Sequence, residues 1–255
     1  TGVEIGRTGL KITEHTRLLY HPPVSLHRPL VGQGILPSLF LSKMEDQALI
    51  YHAMLGGDLG GGPAGLTAAY YLAQKGHDVE IFDEREQPGG IMRYGIPNYR
   101  LPESKLNAEI DVVRNLGVKI NLGYTVRDAK EFQKKGYDAT LLATGLQNSK
   151  PLGVEGDKQD FVIGGMDFLS AVRSGKNPRV GPHVIVIGGG NAAIDVAMTA
   201  FRQGATKVQM WYRRNRAQMP ANPHEVELAL AEGVELVEFW APTRVLPDNR
   251  IEFER

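Results

Sequence analysis

One short glycine pattern occurs twice in this chain, as Gly60-Gly61-Gly62-Pro63-Ala64-Gly65 and as Gly188-Gly189-Gly190-Asn191-Ala192-Ala193, each time directly ahead of a helical run. Glycine at the first position permits a tight turn from strand to helix, and at the third it lets the backbone approach a pyrophosphate. At the sixth it lets the helix pack closely on the strand; the second copy has alanine there. Phosphates would sit at the helix start, where backbone N–H groups and the positive end of the helix dipole attract anions. A single match reads equally well as a glycine-rich surface turn. The repetition favours two dinucleotide-binding turns.

The residues around the turns have the periodicity such units need. Ala64 to Lys75 reads as a helix with Leu66, Ala69, Tyr70 and Ala73 on one stripe, followed by a strand from Val79 to Phe82. Glu103 to Leu116 is a second helix with Leu106, Ile110 and Val113 inward, and Val118 to Ile120 is a strand. A short helix over Asp128 to Lys135 and an apolar strand over Asp138 to Ala143 follow, leading into Thr144-Gly145. Residues Leu146 to Pro182 read as irregular. The pattern resumes with a β-branched strand from Val184 to Ile187, a helix through Ala200 and a strand from Val208 to Tyr212. Strands alternating with helices in this way predict an α/β fold with parallel, doubly wound sheets.

The ends of the two second strands differ. The first ends on Asp83, about twenty residues after its turn, where a carboxylate accepts hydrogen bonds from a ribose 2′-hydroxyl. The second ends on Arg213-Arg214, with Arg216 nearby, and arginine binds a 2′-phosphate through charge-assisted hydrogen bonds. The first site therefore suits a nucleotide with a free 2′-hydroxyl, and the second suits NADP, with NAD also possible. Solvated acidic and basic turns are the plain alternatives. A nucleic-acid patch is disfavoured, because the formal net charge is +0 and no aromatic platform accompanies the arginines.

Between Gln87 and Pro102 the sequence is too rich in Gly and Pro for a helix or a central strand. It reads either as a surface loop or as a ligand loop, in which Gly89, Gly90 and Gly95 permit close backbone approach and Arg93 and Arg100 neutralise phosphate. Residues 1–54, interrupted by Pro22, Pro23, Pro29 and Pro37, read as an N-terminal arm of uncertain structure with short packing segments such as Gly34 to Leu41. His15, His21, His27 and His52 match no metal-ligand spacing. With no cysteine, this sequence holds no disulfide, no Cys-x-x-Cys pair and no cysteine-ligated iron–sulfur cluster. Neither a membrane span nor a signal peptide is visible, so a soluble, cytoplasmic protein is expected.

The longer text around the turns resembles the two-dinucleotide-binding-domain flavoproteins, and most closely the small (beta) subunit of NADPH-dependent glutamate synthase and its relatives. The resemblance is carried by Gly60-Gly-Gly-Pro-Ala-Gly-Leu-Thr-Ala-Ala, Pro88-Gly-Gly-Ile-Met-Arg-Tyr-Gly-Ile-Pro, Leu142-Ala-Thr-Gly, Val186-Ile-Gly-Gly-Gly-Asn, and Tyr212-Arg-Arg followed by Met219-Pro-Ala. It implies two Rossmann-like domains, the second inserted in the first. An FAD-binding domain would span 55–150, with its C-terminal part beyond this sequence, and an NAD(P)-binding domain would span 151–255.

By the same resemblance, Gly60, Gly62, Pro63, Ala64, Gly65 and Asp83 hold the ADP half of FAD. Gly90, Arg93, Tyr94, Gly95, Ile96 and Arg100 line the flavin and its pyrophosphate, and Thr144 and Gly145 lie at the domain crossover. Gly188, Gly190, Asn191, Ala192, Arg213 and Arg214 bind NADPH. The implied reaction is hydride transfer between NADPH and FAD, with electrons passing to iron–sulfur or other redox centres of a partner subunit. No catalytic acid, base or nucleophile is implied. A self-contained NAD(P)H diaphorase and a non-catalytic cofactor-binding assembly subunit are the competing functions. One departure stands out: the strand expected before the first turn reads Met54-Leu55-Gly56-Gly57-Asp58-Leu59, with an aspartate where a buried strand needs an apolar residue.

Overall fold

The computed structural model describes residues 60–247 and 249–255 in full, together with the backbone of 3–6, 9–12 and 49–52. The chain forms two compact units, Thr1–Met92 with Pro102–Leu146, and Arg93–Leu101 with Gln147–Arg255.

The first unit contains strands β1 (Val3–Gly6), β2 (Gly9–Ile12), β3 (Leu49–His52), β4 (Val79–Phe82), β5 (Lys119–Asn121) and β6 (Ala139–Leu142), in the order β1-β2-β6-β3-β4-β5. The last five run parallel, and β1 closes the edge as an antiparallel hairpin with β2. Thus β3, within the stretch expected to form an arm, is an interior strand between β4 and β6. It lies upstream of the strand expected over Met54–Leu59; residues 53–59, like Gly34–Leu41, His15, His21 and His27, lie outside the described residues.

Helix α1 (Pro63–Gln74) connects β3 to β4 and buries Gly65, Leu66, Ala68, Ala69 and Leu72. Its inward stripe therefore runs through Leu72, while Tyr70 and Ala73 are only half-buried. Helix α3 (Glu103–Asn115) buries the expected Leu106, Ile110 and Val113. Between them, Ile91–Tyr94 forms a one-turn helix, α2, inside the stretch expected to be helix-free. One turn is short enough to fit between Gly90, whose φ is +52°, and Pro97. Helix α4 (Lys130–Lys134) buries Phe132 beside Phe82, with ring centroids 4.9 Å apart, and Tyr124 and Tyr137 pack around them.

The second unit is built on a parallel three-stranded sheet, β7 (His183–Ile187), β8 (Lys207–Tyr212) and β9 (Glu235–Glu238), in that order. Helix α5 (Gly165–Arg173) forms within the stretch expected to be irregular and buries Phe168 and Leu169. Gly164 and Gly165 at its start, and the prolines beyond it, mask its short apolar stripe in the sequence. Helices α6 (Asn191–Arg202) and α7 (Pro223–Ala231) complete the unit. Its core gathers Leu169, Ile194, Ala197, Val208, Met210 and Val226. Strands β10 (Ala241–Leu246) and β11 (Arg250–Glu254) form a separate antiparallel hairpin.

Among the described residues no helix is long and apolar enough to cross a membrane. Because the Phe132 side chain is fully buried, Phe132→Ala should lower the unfolding free energy by about 3–5 kcal/mol. Phe161→Ala, at a residue 40% exposed, should change it by no more than about 0.5 kcal/mol. Denaturant unfolding of the two variants measures both effects.

Candidate functional site

The first turn is held by backbone. Gly62 caps α1 in an extended conformation with no side-chain cap, and Pro63 occupies the first helical turn. The Leu66 N–H donates to Gly62 O at 2.9 Å, so the amides of Ala64 and Gly65 lie ahead of that helical bond. A Cβ at Gly65 would stand 1.6 Å from Gly60 O. The helix start and the Gly60 backbone are pressed together, a closeness that only glycine at position 65 allows. Among the described residues, a Cβ at Gly62 would meet Gly90 Cα at 3.8 Å, an ordinary contact.

Asp83 is wholly buried at the end of β4. Its Oδ2 accepts from Gly61 N–H at 3.0 Å, and its Oδ1 accepts from Arg85 N–H at 2.8 Å. Burial pushes the carboxyl up to about 6, against the lowering effect of the Arg85 and Gly61 amides. Each oxygen keeps a further lone pair. Gly61 O in turn accepts from Gly89 N–H at 2.7 Å, which ties the Gly-Pro-rich loop to the turn. The structure therefore brings Gly60 to Gly65, Asp83, Gly89 and Gly90 together. A bound ADP group fits the uncapped amides at the start of α1, while the wholly buried Asp83 carboxylate backs the turn through Gly61.

The remaining loop residues divide differently. Arg93 is buried, and its carbonyl accepts from Arg173 Nε at 2.6 Å within the second unit. Gly95 is buried, while Tyr94 and Ile96 are half-buried. Arg100, expected to neutralise phosphate, instead faces Asp195 at 2.5 Å and pairs with Glu225. Two carboxylates already match its charge. Thr144 and Gly145 follow β6, the first half-buried and the second exposed.

The second turn leads into α6. Gly190 caps the helix in an extended conformation without a side-chain cap, and among the described residues a Cβ there would meet no heavy atom within 4 Å. The amides of Asn191 and Ala192 precede the bonds that Ala193 and Ile194 donate to Gly190 O. Gly189 packs under Tyr212, where a Cβ would lie 2.7 Å from the ring. Tyr212 Oη donates to Gln218 O, and Ala221 N–H donates to Gly189 O at 3.0 Å. Asn191 Oδ1 accepts from Asn222 N–H at 2.8 Å. The Met219-Pro-Ala stretch thus ends on the turn itself.

Arg213 and Arg214 are exposed just past β8, and among the described residues neither forms a salt bridge. Arg216 is already engaged: its side chain pairs with Glu227 at 3.2 Å, and its N–H donates to Glu238. The sequence reading missed Asp195, Glu225 and Asn222, whose contacts depend on how α6 and α7 pack.

Two outcomes follow for the first turn. Gly65→Ala should displace α1 from Gly60 and destabilise the protein, as read by denaturant unfolding of the purified variant. For Asp83, the folded carboxyl binds its proton more tightly than an ordinary aspartate, which titrates near 3.8. Its contribution to stability therefore falls as pH rises from about 4 to about 6. Relative to wild type, Asp83→Asn should gain up to about 3 kcal/mol between acidic and neutral pH. Unfolding without added cofactor measures the gain, and a difference independent of pH would contradict it.

Residues 59–238 match the sequence profile of the family described as pyridine nucleotide-disulphide oxidoreductase. The chain is 42% identical over 200 residues to the NADPH-Fe(3+) oxidoreductase subunit beta of Geobacter sulfurreducens, covering 75% of this chain and 30% of that one. It is 36% identical over 201 residues to the glutamate synthase [NADPH] small chain of Azospirillum brasilense, covering 73% of this chain and 42% of the relative. The chain thus spans less than half the length of both. FprA of Mycobacterium tuberculosis in complex with NADPH shares the fold, with a TM-score of 0.67 at 17% identity over 83% of this chain and 64% of that one. With its profile match extending through both glycine turns, the chain belongs to the pyridine nucleotide-disulphide oxidoreductase family.

Proposed function

We propose that this chain is the electron-input part of an NADPH-dependent flavoprotein, with FAD at the first glycine turn and NADP(H) at the second. The observation that carries this reading is the asymmetry of the two turns. The first is backed by the buried Asp83 carboxylate, whereas the second is followed by the exposed Arg213 and Arg214. A carboxylate beside the ribose repels a 2′-phosphate and accepts from a 2′-hydroxyl, and paired guanidinium groups do the reverse. The names of the two curated relatives, an NADPH-Fe(3+) oxidoreductase subunit and an NADPH-dependent glutamate synthase chain, support the same assignment.

On this reading the second Rossmann-like domain is inserted in the first. Gly60, Gly62, Pro63, Ala64, Gly65 and Asp83 hold the adenosine diphosphate half of FAD. Gly90, Arg93, Tyr94, Gly95 and Ile96 shape the bed along the flavin, and Thr144 and Gly145 lie at the crossover. Gly188, Gly190, Asn191 and Ala192 bind the NADP(H) pyrophosphate. Nicotinamide and flavin supply the hydride chemistry when bound. The residues of this chain bind the two nucleotides and orient them, and no side chain acts as acid, base or nucleophile.

Electrons leaving the flavin then pass to iron–sulfur or other redox centres of a partner subunit, a reading supported by the names of the two relatives, one a subunit and the other a chain of a larger enzyme. Anaerobic addition of NADPH to the complete complex should bleach a flavin absorbance band, and an unchanged spectrum would refute the assignment. Replacing Arg213 and Arg214 by serine should weaken NADP+ binding by roughly 10–100-fold and leave NAD+ binding within about twofold, as measured by equilibrium titration.

A further inference from the structure

The nine residues Arg93–Leu101 leave the first unit and belong to the second. Contacts with α5, α6 and α7 hold them there. Arg173 Nε donates to Arg93 O at 2.6 Å, and the Arg202 guanidinium lies 4.0 Å from the centre of the Tyr99 ring. Arg100 faces Asp195 at 2.5 Å and pairs with Glu225, and its Nη2 reaches Met198 Sδ at 3.8 Å. Arg100 Nε and Asp195 Oδ1 are both buried without an aligned hydrogen bond, so charge attraction dominates this contact.

The two carboxylates sit at matching places. Asp195 lies one turn into α6, which starts at the second glycine turn, and Glu225 lies in the first turn of α7. The two helix starts are themselves joined, because Asn222 N–H donates to Asn191 Oδ1. Arg100 therefore bridges the two helices that frame the second turn. At its other end the same stretch of chain continues into Gly89 and Gly90, which lie against the first turn.

We propose that Arg100 is a positioning residue: through Asp195 and Glu225 it couples occupancy of the second glycine turn by NADP(H) to the conformation of the Arg93–Leu101 segment, an inference that rests on the assignment of NADP(H) to that turn. A ligand on the amides of Asn191 and Ala192 steadies the start of α6 and, through Asn191, the start of α7. Arg100 requires both carboxylates in register, so a steadier pair holds the segment more tightly. By linkage the docked segment strengthens nucleotide binding to the same degree. A planar guanidinium can serve two carboxylates at once, whereas an ammonium is a compact point charge.

Hydrogen exchange on the full chain tests the coupling, since the amides of Arg100 and Leu101 both donate to Pro97 O within the segment. Saturating NADP+ should slow exchange of peptides covering 93–101 by at least about fivefold in wild type and by less than about twofold in Arg100→Lys, whose NADP+ Kd should rise roughly fivefold. Asp195→Asn, which leaves the Arg100–Glu225 pair in place, should reduce the protection to an intermediate degree and serves if the lysine variant does not fold. Equal protection in wild type and variants, or none in a wild type that binds NADP+, would overturn the coupling alone. A wild type that does not bind NADP+ would overturn the function assigned to the second turn, and this inference with it.

Discussion

The closeness of Gly65 to Gly60 is the constraint on which the first glycine turn depends. No side chain fits where a Cβ would stand 1.6 Å from a carbonyl oxygen, so α1 begins hard against the preceding backbone. At the same turn the Gly61 N–H donates to the buried Asp83 carboxylate at 3.0 Å. The Gly61 carbonyl accepts from Gly89, which fixes where the Gly-Pro-rich loop departs. Each of these bonds uses backbone on at least one side, so the geometry is insensitive to most side chains nearby.

The second turn solves the same problem with different parts. Ala193 stands at the sixth position, 3.3 Å from where a Cβ on Gly188 would lie, and Gly189 packs beneath the Tyr212 ring. The Tyr212 hydroxyl and the Ala221 amide then fold the segment after β8 back over the turn. Arg216 is consumed by Glu227 and Glu238, leaving Arg213 and Arg214 exposed. A buried carboxylate stands at one turn and exposed guanidinium groups at the other, and this difference is what the proposed division between FAD and NADP(H) rests on.

What the sequence made legible was local. Helix α1, strand β4, the buried stripe of α3 and strand β8 follow from periodicity, and the turns follow from their glycines. What it hid was long-range. Strand β3 is a four-residue element whose place in the sheet comes from pairing with β4 and β6. Helices α2 and α5 are short and flanked by glycine, so their apolar faces barely register in a sequence window. Arg100 reads as a phosphate ligand beside Gly95 and Pro97, yet the folded chain gives it two carboxylates from helices far along the sequence. A charge visible in a motif does not reveal whether the fold has already matched it.

Binding stoichiometry is the most direct measure of whether the two turns serve two different nucleotides. Calorimetric titration of the flavin-saturated chain with NADP+ should give one site per chain, with no flavin released and an unchanged affinity for FAD. Release of FAD in proportion to added NADP+ would mean that both nucleotides compete for one turn, and would contradict the division of labour drawn here.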